Sequence, residues 1–107
     1  MEQSYLLVLC TCPDAETAQT IAHALVDRRL AACVNVVGDL TSVYRWQGNV
    51  ESDQEHLLLV KTTAASYGQL EALVQQLHPY EVPEIIALPV ARGLPAYLAW
   101  IESSTGR

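Results

Sequence analysis

The chain has 107 residues; half of them are hydrophobic, 17% are charged, and the net charge is −6. This length suits one domain and is too short for two, so we expect a single domain over residues 1–107. The negative charge argues against a nucleic-acid partner, because phosphate binding needs a basic face. So large an apolar share cannot all be buried inside one small domain, and we therefore expect burial between subunits.

The lengths of the apolar runs and the number of cysteines indicate the cellular compartment of the protein. No apolar run is long enough to span a bilayer, and the N-terminal residues lack the basic segment of a signal peptide. The three cysteines, Cys10, Cys12 and Cys33, form an odd count. An odd number of cysteines in a chain without an export signal is typical of a cytosolic protein whose thiols are reduced. We expect a cytoplasmic protein with no membrane partner.

The first half of the chain predicts a strand, a helix and a bulged strand. Residues 5–12 are apolar nearly throughout, as in a buried strand. Asp14 is placed to cap the following helix, and Cys33 begins the next strand. Gly38-Asp39 predicts a bulge in that strand. The helix carries an apolar stripe at helical spacing: Ala18, Ile21, Ala22, Leu25 and Val26.

The second half predicts a hairpin partner, a helix, a short strand and a last helix. Gln47-Gly48-Asn49 is a plausible hairpin turn, and residues 55–63 form the returning strand. Residues 85–88 form a short strand, and Pro95 suits the first position of a helix. The second helix has its own apolar stripe: Tyr67, Leu70, Leu73, Val74 and Leu77.

This order predicts an α+β fold: a ferredoxin-like βαββαβ sandwich with an extended central hairpin and a C-terminal helix. Two right-handed crossovers place both helices on one face of a four-stranded antiparallel sheet. The hairpin, residues 33–63, is too long for two such helices to cover, and its overhang carries Tyr44 and Trp46. Exposed aromatic strands with free edges invite pairing, so we expect another copy of the chain as partner.

Several segments together resemble the CutA family of divalent-cation-tolerance proteins, in order and over nearly the whole chain. The most specific are the blocks Leu30-Ala31-Ala32-Cys33-Val34-Asn35 and His78-Pro79-Tyr80-Glu81-Val82-Pro83-Glu84-Ile85. The others are Thr11-Cys12-Pro13 with Ala18, Ser42-Val43-Tyr44-Arg45-Trp46-Gln47-Gly48, Lys61-Thr62 and Tyr97-Leu98-Ala99-Trp100-Ile101.

The resemblance implies a ferredoxin-like fold assembled as a tight homotrimer through strands shared between subunits. It also implies a role in metal-ion tolerance, with copper(II) binding reported in the family. Some members carry a histidine pair before the proline of the second block, where this chain has Leu77. That departure weakens the case for a preformed copper site.

One end of the predicted sheet gathers metal-binding side chains. Cys10 and Cys12 share one face of the first strand, because side chains alternate with period two. His78 follows the second helix, and Glu81 and Glu84 flank the last strand. Mixed thiolate, imidazole and carboxylate ligands suit copper or zinc. We predict that Cys10, His78, Glu81 and Glu84 bind Cu(II) or another divalent cation, with no organic cofactor. The competing interpretation is buried structural cysteines, a histidine that caps a helix, and solvated carboxylates.

Two other function classes stay open. The first is a trimeric signalling or scaffold module that binds a small ligand or a protein partner at clefts between subunits. The chain has no glycine-rich phosphate loop to support it, although Lys61 could bind an anion; pairing with a carboxylate or a neighbouring subunit is the commoner role. The second is an enzyme of the acylphosphatase type, but Asp14 lies where an anion-binding arginine is needed. Glu81 or Glu84 could act as a general base, but Pro79 and Pro83 account for this block by forcing an extended turn, so we expect no enzyme. His23 and His56 are expected at the surface.

Overall fold

The computed structural model describes residues 4–106. Residues 1–3 and 107, which belong to the predicted domain, lie outside this range, as does most of the N-terminal segment considered for a signal peptide. In chain order the elements are β1 (Tyr5–Cys12), α1 (Ala15–Asp27), β2 (Cys33–Trp46), β3 (Asn49–Thr63), α2 (Ala64–Leu77), β4 (Ile85–Pro89) and α3 (Pro95–Ser104).

The four strands form one antiparallel sheet in the order β2-β3-β1-β4. β1 therefore lies inside the sheet, between the returning strand of the hairpin and the last strand of the chain. The α+β fold, the βαββαβ order, the long hairpin and the C-terminal helix are as predicted. No helix within residues 4–106 has the length and apolar character needed to cross a membrane.

One face of the sheet carries the core. In β1 the alternate residues Val8, Cys10 and Cys12 are fully buried, and they pair with Val60, Leu58 and His56 of β3. Because paired residues point to the same face, these side chains meet α1 and α2. The helices contribute Ala18, Ile21, Leu25, Leu70, Leu73 and Val74, and the segment after α1 adds Leu30 and Ala31. Val26, predicted in the α1 stripe, is 43% exposed instead, since it lies past the edge of the packed face.

The hairpin confirms the predicted turn and bulge and corrects one strand boundary. Gln47 and Gly48 have φ angles of 50° and 84°, the left-handed pair that a two-residue type I′ turn needs. The ladder slips between Val37 and Leu40, at the predicted bulge. β3 was expected to begin at Glu55, but it begins at Asn49. Residues 49–54 lack the apolar alternation that marks a strand, and their pairing follows from the tight turn.

The other face of the sheet is apolar and largely bare. Its side chains come from all four strands: Leu7, Leu9, Val37, Leu57, Leu59, Ile86 and Leu88. We call these seven residues the open face. Beyond it, the far end of the hairpin is exposed, with Val43 at 68% and Trp46 at 59%. A single chain thus exposes apolar surface that soluble monomers rarely show.

Candidate metal centre

Three metal-binding side chains meet where β1 ends and α2 ends. Cys10 and Cys12 alternate along β1 and so face the same side, and His78 is the C-cap residue of α2. The ligand atoms of these three residues all lie within 4.8 Å of one another. Two of the predicted ligands, Cys10 and His78, are therefore brought together. Cys12 joins them, although the predicted ligand set did not include it.

The three side chains are shielded from solvent. Cys10 is 1% exposed, Cys12 is 0% exposed and His78 is 6% exposed. All three cysteines of the chain, Cys33 included, are free thiols. A buried group of two thiols and an imidazole presents a dry, sulfur-rich set of donors, which favours soft and borderline ions over hard ones.

The imidazole of His78 is held by two backbone groups. Its Nε2 lies 2.8 Å from the carbonyl oxygen of Thr11, and its Nδ1 accepts a hydrogen bond from the Tyr80 N–H at 3.2 Å. A carbonyl can only accept, so the ring proton is on Nε2. The ring thus joins the end of α2 to β1. This matches the alternative interpretation of His78 as a capping residue, and binding a metal ion requires one of these bonds to open.

The two thiols interact directly. A hydrogen bond from Cys10 to Cys12, together with burial, raises the pKa of the Cys10 thiol well above its ordinary value. The same hydrogen bond lowers the pKa of the Cys12 thiol, while burial opposes that change. Each thiol therefore changes how readily the other loses its proton.

The two predicted carboxylate ligands lie outside the three-residue group. Glu84 is exposed, and its Oε1 is 3.5 Å from the Thr11 hydroxyl. It lies beside β1 at the margin of the site and contributes to the raised Cys10 pKa. Glu81 is exposed on the loop between α2 and β4. Solvated carboxylates at these two positions fit the competing interpretation.

A buried carboxylate near the site was missed by the sequence analysis. Glu55 is only 7% exposed, and its Oε2 accepts a hydrogen bond from the Tyr80 hydroxyl at 3.1 Å. Burial, followed by this hydrogen bond, raises the pKa of Tyr80 to about 12. Nearby on the hairpin, Tyr44 donates to Asp53, and that bond raises the pKa of Tyr44 to about 12. Glu55 lies in a polar run, which gives no sign of burial.

Two further polar residues differ from expectation. His56, expected at the surface, is half-buried, and its Nδ1 has no hydrogen-bond partner within residues 4–106. It pairs with Cys12 in the ladder, so it faces the helices. Lys61 donates to the side-chain oxygen of Asn35 and lies 3.7 Å from the Cys33 sulfur, so its partners among the described residues are an amide and a thiol. Cys33, which begins β2, is half-buried and lies on the sheet face opposite α1 and α2.

Comparison with known proteins identifies the family. A family model described as CutA1 divalent ion tolerance protein matches residues 6–104. The chain belongs to the CutA1 family. This confirms the resemblance inferred from the sequence blocks.

CutA1 relatives match in sequence and in structure. The divalent-cation tolerance protein CutA of Thermus thermophilus is 59% identical over 100 residues, which are 94% of this chain and 97% of that protein. A solved structure of the Thermus thermophilus protein superposes with a TM-score of 0.94 and 58% identity, covering 95% of this chain and 99% of that one. A Shewanella CutA1 structure has a TM-score of 0.96 at 40% identity, with both chains fully covered.

CutA1 relatives differ in length and in named compartment. This chain spans 54% of the mouse Protein CutA, to which it is 47% identical over 95 residues. It thus covers about half the length of several curated relatives. An Arabidopsis thaliana relative is named as chloroplastic, and an Archaeoglobus fulgidus structure is described as periplasmic.

Proposed function

We propose that this chain forms a homotrimer that binds a divalent, copper-type metal ion in the cytoplasm and has no catalytic activity. The observation that carries the proposal is the buried group Cys10, Cys12 and His78 in a chain of the divalent ion tolerance family. Two thiols and an imidazole are ligands that copper and zinc accept in proteins. Free thiols throughout the chain support a reducing compartment.

The metal part of the proposal is tested by isothermal titration with copper(II), zinc(II) and nickel(II). Cys10→Ala and His78→Ala should each weaken binding, because each removes a donor from the group. Cys33→Ala is the matched control, since Cys33 is a free thiol on the opposite side of the sheet. If no ion binds the wild-type chain, or if the control loses as much affinity as the two variants, the metal proposal fails.

The assembly part rests on the open face and the exposed hairpin. Covering them with other copies of the chain removes apolar surface from water, and the number three comes from the family resemblance. Sedimentation equilibrium should give three times the mass of the chain at micromolar concentration. Val43→Glu, on the exposed hairpin, should weaken assembly, whereas Val26→Glu on the outer surface of α1 should not. A monomer mass for the wild-type chain would refute this part.

The alternative function is a trimeric signalling or scaffold module with ligands between subunits. Its support is the polar group on the sheet face opposite α1 and α2, where Lys61 contacts Asn35 and Cys33. The Lys61 amine already donates to Asn35, which leaves less of its charge for an anion. A trimer that binds no metal ion and is stabilised by a small anion would favour this alternative.

A further inference from the structure

Cys12 is the donor that distinguishes this site from the ligand set predicted from sequence. Its sulfur, the Cys10 sulfur and the nearest His78 nitrogen are mutually within 4.8 Å. Two donors that each lie about 2.3 Å from one ion, the zinc–thiolate distance, are at most about 4.6 Å apart. The observed spacing is therefore close to what one shared ion requires.

The donors differ in how freely they can reach an ion. Both nitrogens of His78 are occupied, one by the Thr11 carbonyl and one by the Tyr80 N–H. The two sulfurs are held only by weak thiol interactions: they interact with each other, and the Cys10 sulfur lies 3.8 Å from the Thr11 carbonyl oxygen. An entering ion thus finds two sulfurs at once and gains the imidazole only when a backbone hydrogen bond opens.

This donor count and softness discriminate between ions. Structural zinc takes four ligands in a tetrahedron, and the group supplies three, one of which is already bonded. Copper(II) favours tetragonal sites built from nitrogen and oxygen. Thiolates suit both zinc and Cu(I), but Cu(I) is satisfied by two or three ligands whereas structural zinc takes four. The exposed carboxylates Glu81 and Glu84 are hard donors that add little for such an ion.

We propose that Cys10 and Cys12 bind one Cu(I) ion as a pair of thiolates, with His78 acting mainly to position β1 against the end of α2. This inference rests on the metal-binding site proposed above, but it assigns that site monovalent Cu(I) in place of a divalent ion. Binding exchanges protons for the ion: both sulfurs release their protons to solvent as they bond to copper. No electron is transferred, because the copper arrives already reduced.

The test is an anaerobic titration of the full chain with Cu(I) kept reduced by ascorbate, in competition with the coloured chelator bicinchoninate. The wild-type chain should bind one Cu(I). Cys10→Ser and Cys12→Ser should each lower the Cu(I) affinity by more than about 100-fold. Losing a group that only hydrogen-bonds to a metal ligand usually costs about 10–100-fold. Cys33→Ser, the matched control, should bind as wild type does. His78→Asn, which keeps a polar side chain at the cap, should cost less than about tenfold, below that same range.

Other outcomes separate this inference from the broader proposal. If Cys12→Ser binds Cu(I) as wild type does, or if His78→Asn abolishes binding, the thiolate-pair assignment is wrong. If zinc(II) or copper(II) binds and Cu(I) does not, the inference fails while divalent binding survives. If no ion binds, both fail. Circular dichroism checks that Cys12→Ser is folded, and Cys12→Ala provides a second variant without the sulfur. Copper-edge X-ray absorption should find two sulfur neighbours of the copper in the wild-type complex.

Discussion

The buried carboxylate of Glu55 gives a stability prediction that can be worked from the structure. Tyr80→Phe removes the hydroxyl that donates to Glu55 at 3.1 Å. A hydrogen bond to a charged group contributes about 1.5–3 kcal/mol. Tyr80 is 40% exposed, so water replaces part of the lost bond, and we expect about 1.5 kcal/mol, the lower end of that range. The matched control is Tyr67→Phe, whose hydroxyl donates to the exposed Glu71 at 3.0 Å.

The Tyr67→Phe control distinguishes the effect of burying the hydrogen bond from the effect of its length, because the two bonds are 3.0 Å and 3.1 Å long. The Tyr67–Glu71 pair lies four residues apart on a helix surface, where such pairs contribute about 0.2–0.5 kcal/mol. Urea unfolding followed by tryptophan fluorescence, at one protein concentration for all variants, should therefore show a larger loss for Tyr80→Phe by about 1 kcal/mol. Equal losses for the two variants would show that burial of Glu55 does not strengthen the bond.

The same pair predicts a pH dependence with a definite sign. The pKa of Tyr80 is raised to about 12, chiefly by burial and then by the Glu55 bond, so the folded state favours the neutral phenol. Its contribution to stability is complete below the ordinary tyrosine pKa near 10 and is lost as pH rises through about 12. The gap in stability between wild type and Tyr80→Phe should narrow from pH 10 to pH 12. A constant gap over that interval would contradict the argument.

Three further substitutions test local features of the fold by urea unfolding. Asp14→Ala removes the acceptor of the Thr17 N–H at 2.7 Å and should destabilise the fold. Because capping lowers the Asp14 pKa, this loss of stability should fade as pH drops through that pKa, and a loss that is unchanged in acid would refute the cap. Gly48→Ala should lower the free energy of unfolding by about 1 kcal/mol, because φ at this position is +84°. Gly68→Ala inside α2 should instead raise the free energy of unfolding by about 0.5–1 kcal/mol. Changes of the same sign at the two positions would refute the turn assignment. Thr62→Val removes the hydroxyl that donates to the buried Leu30 carbonyl oxygen at 2.6 Å and should lower the free energy of unfolding by about 1–3 kcal/mol. An unchanged free energy of unfolding would mean that water replaces the hydroxyl.

Features set by local chemistry were predictable from the sequence. The Asp14 cap, the left-handed turn at Gln47 and Gly48 and the bulge before Leu40 follow from side-chain and backbone preferences of a few neighbouring residues. The element order fixed the sheet topology because connections in such folds are short and right-handed. The sequence blocks identified the family.

Features that depend on the details of tertiary placement were predicted only in part. The convergence of Cys10 and His78 at one end of the sheet was predicted, but Cys12 was not included as a third close donor. Nothing in the sequence shows that Glu55 is buried, because its partner Tyr80 lies 25 residues away on a loop. Nor does the sequence show that both His78 nitrogens are occupied by backbone groups, which decides how the ring can act.

The position of β1 inside the sheet has a consequence for synthesis on the ribosome. β1 is made first, but its two neighbours, β3 and β4, end at Thr63 and Pro89. At about 5–20 residues per second, the nascent apolar strand waits roughly 3–10 seconds before all of β3 has been made. During this time β1 is an unpaired, aggregation-prone segment that chaperones can bind. The strand that carries both site cysteines therefore reaches its final environment late in synthesis.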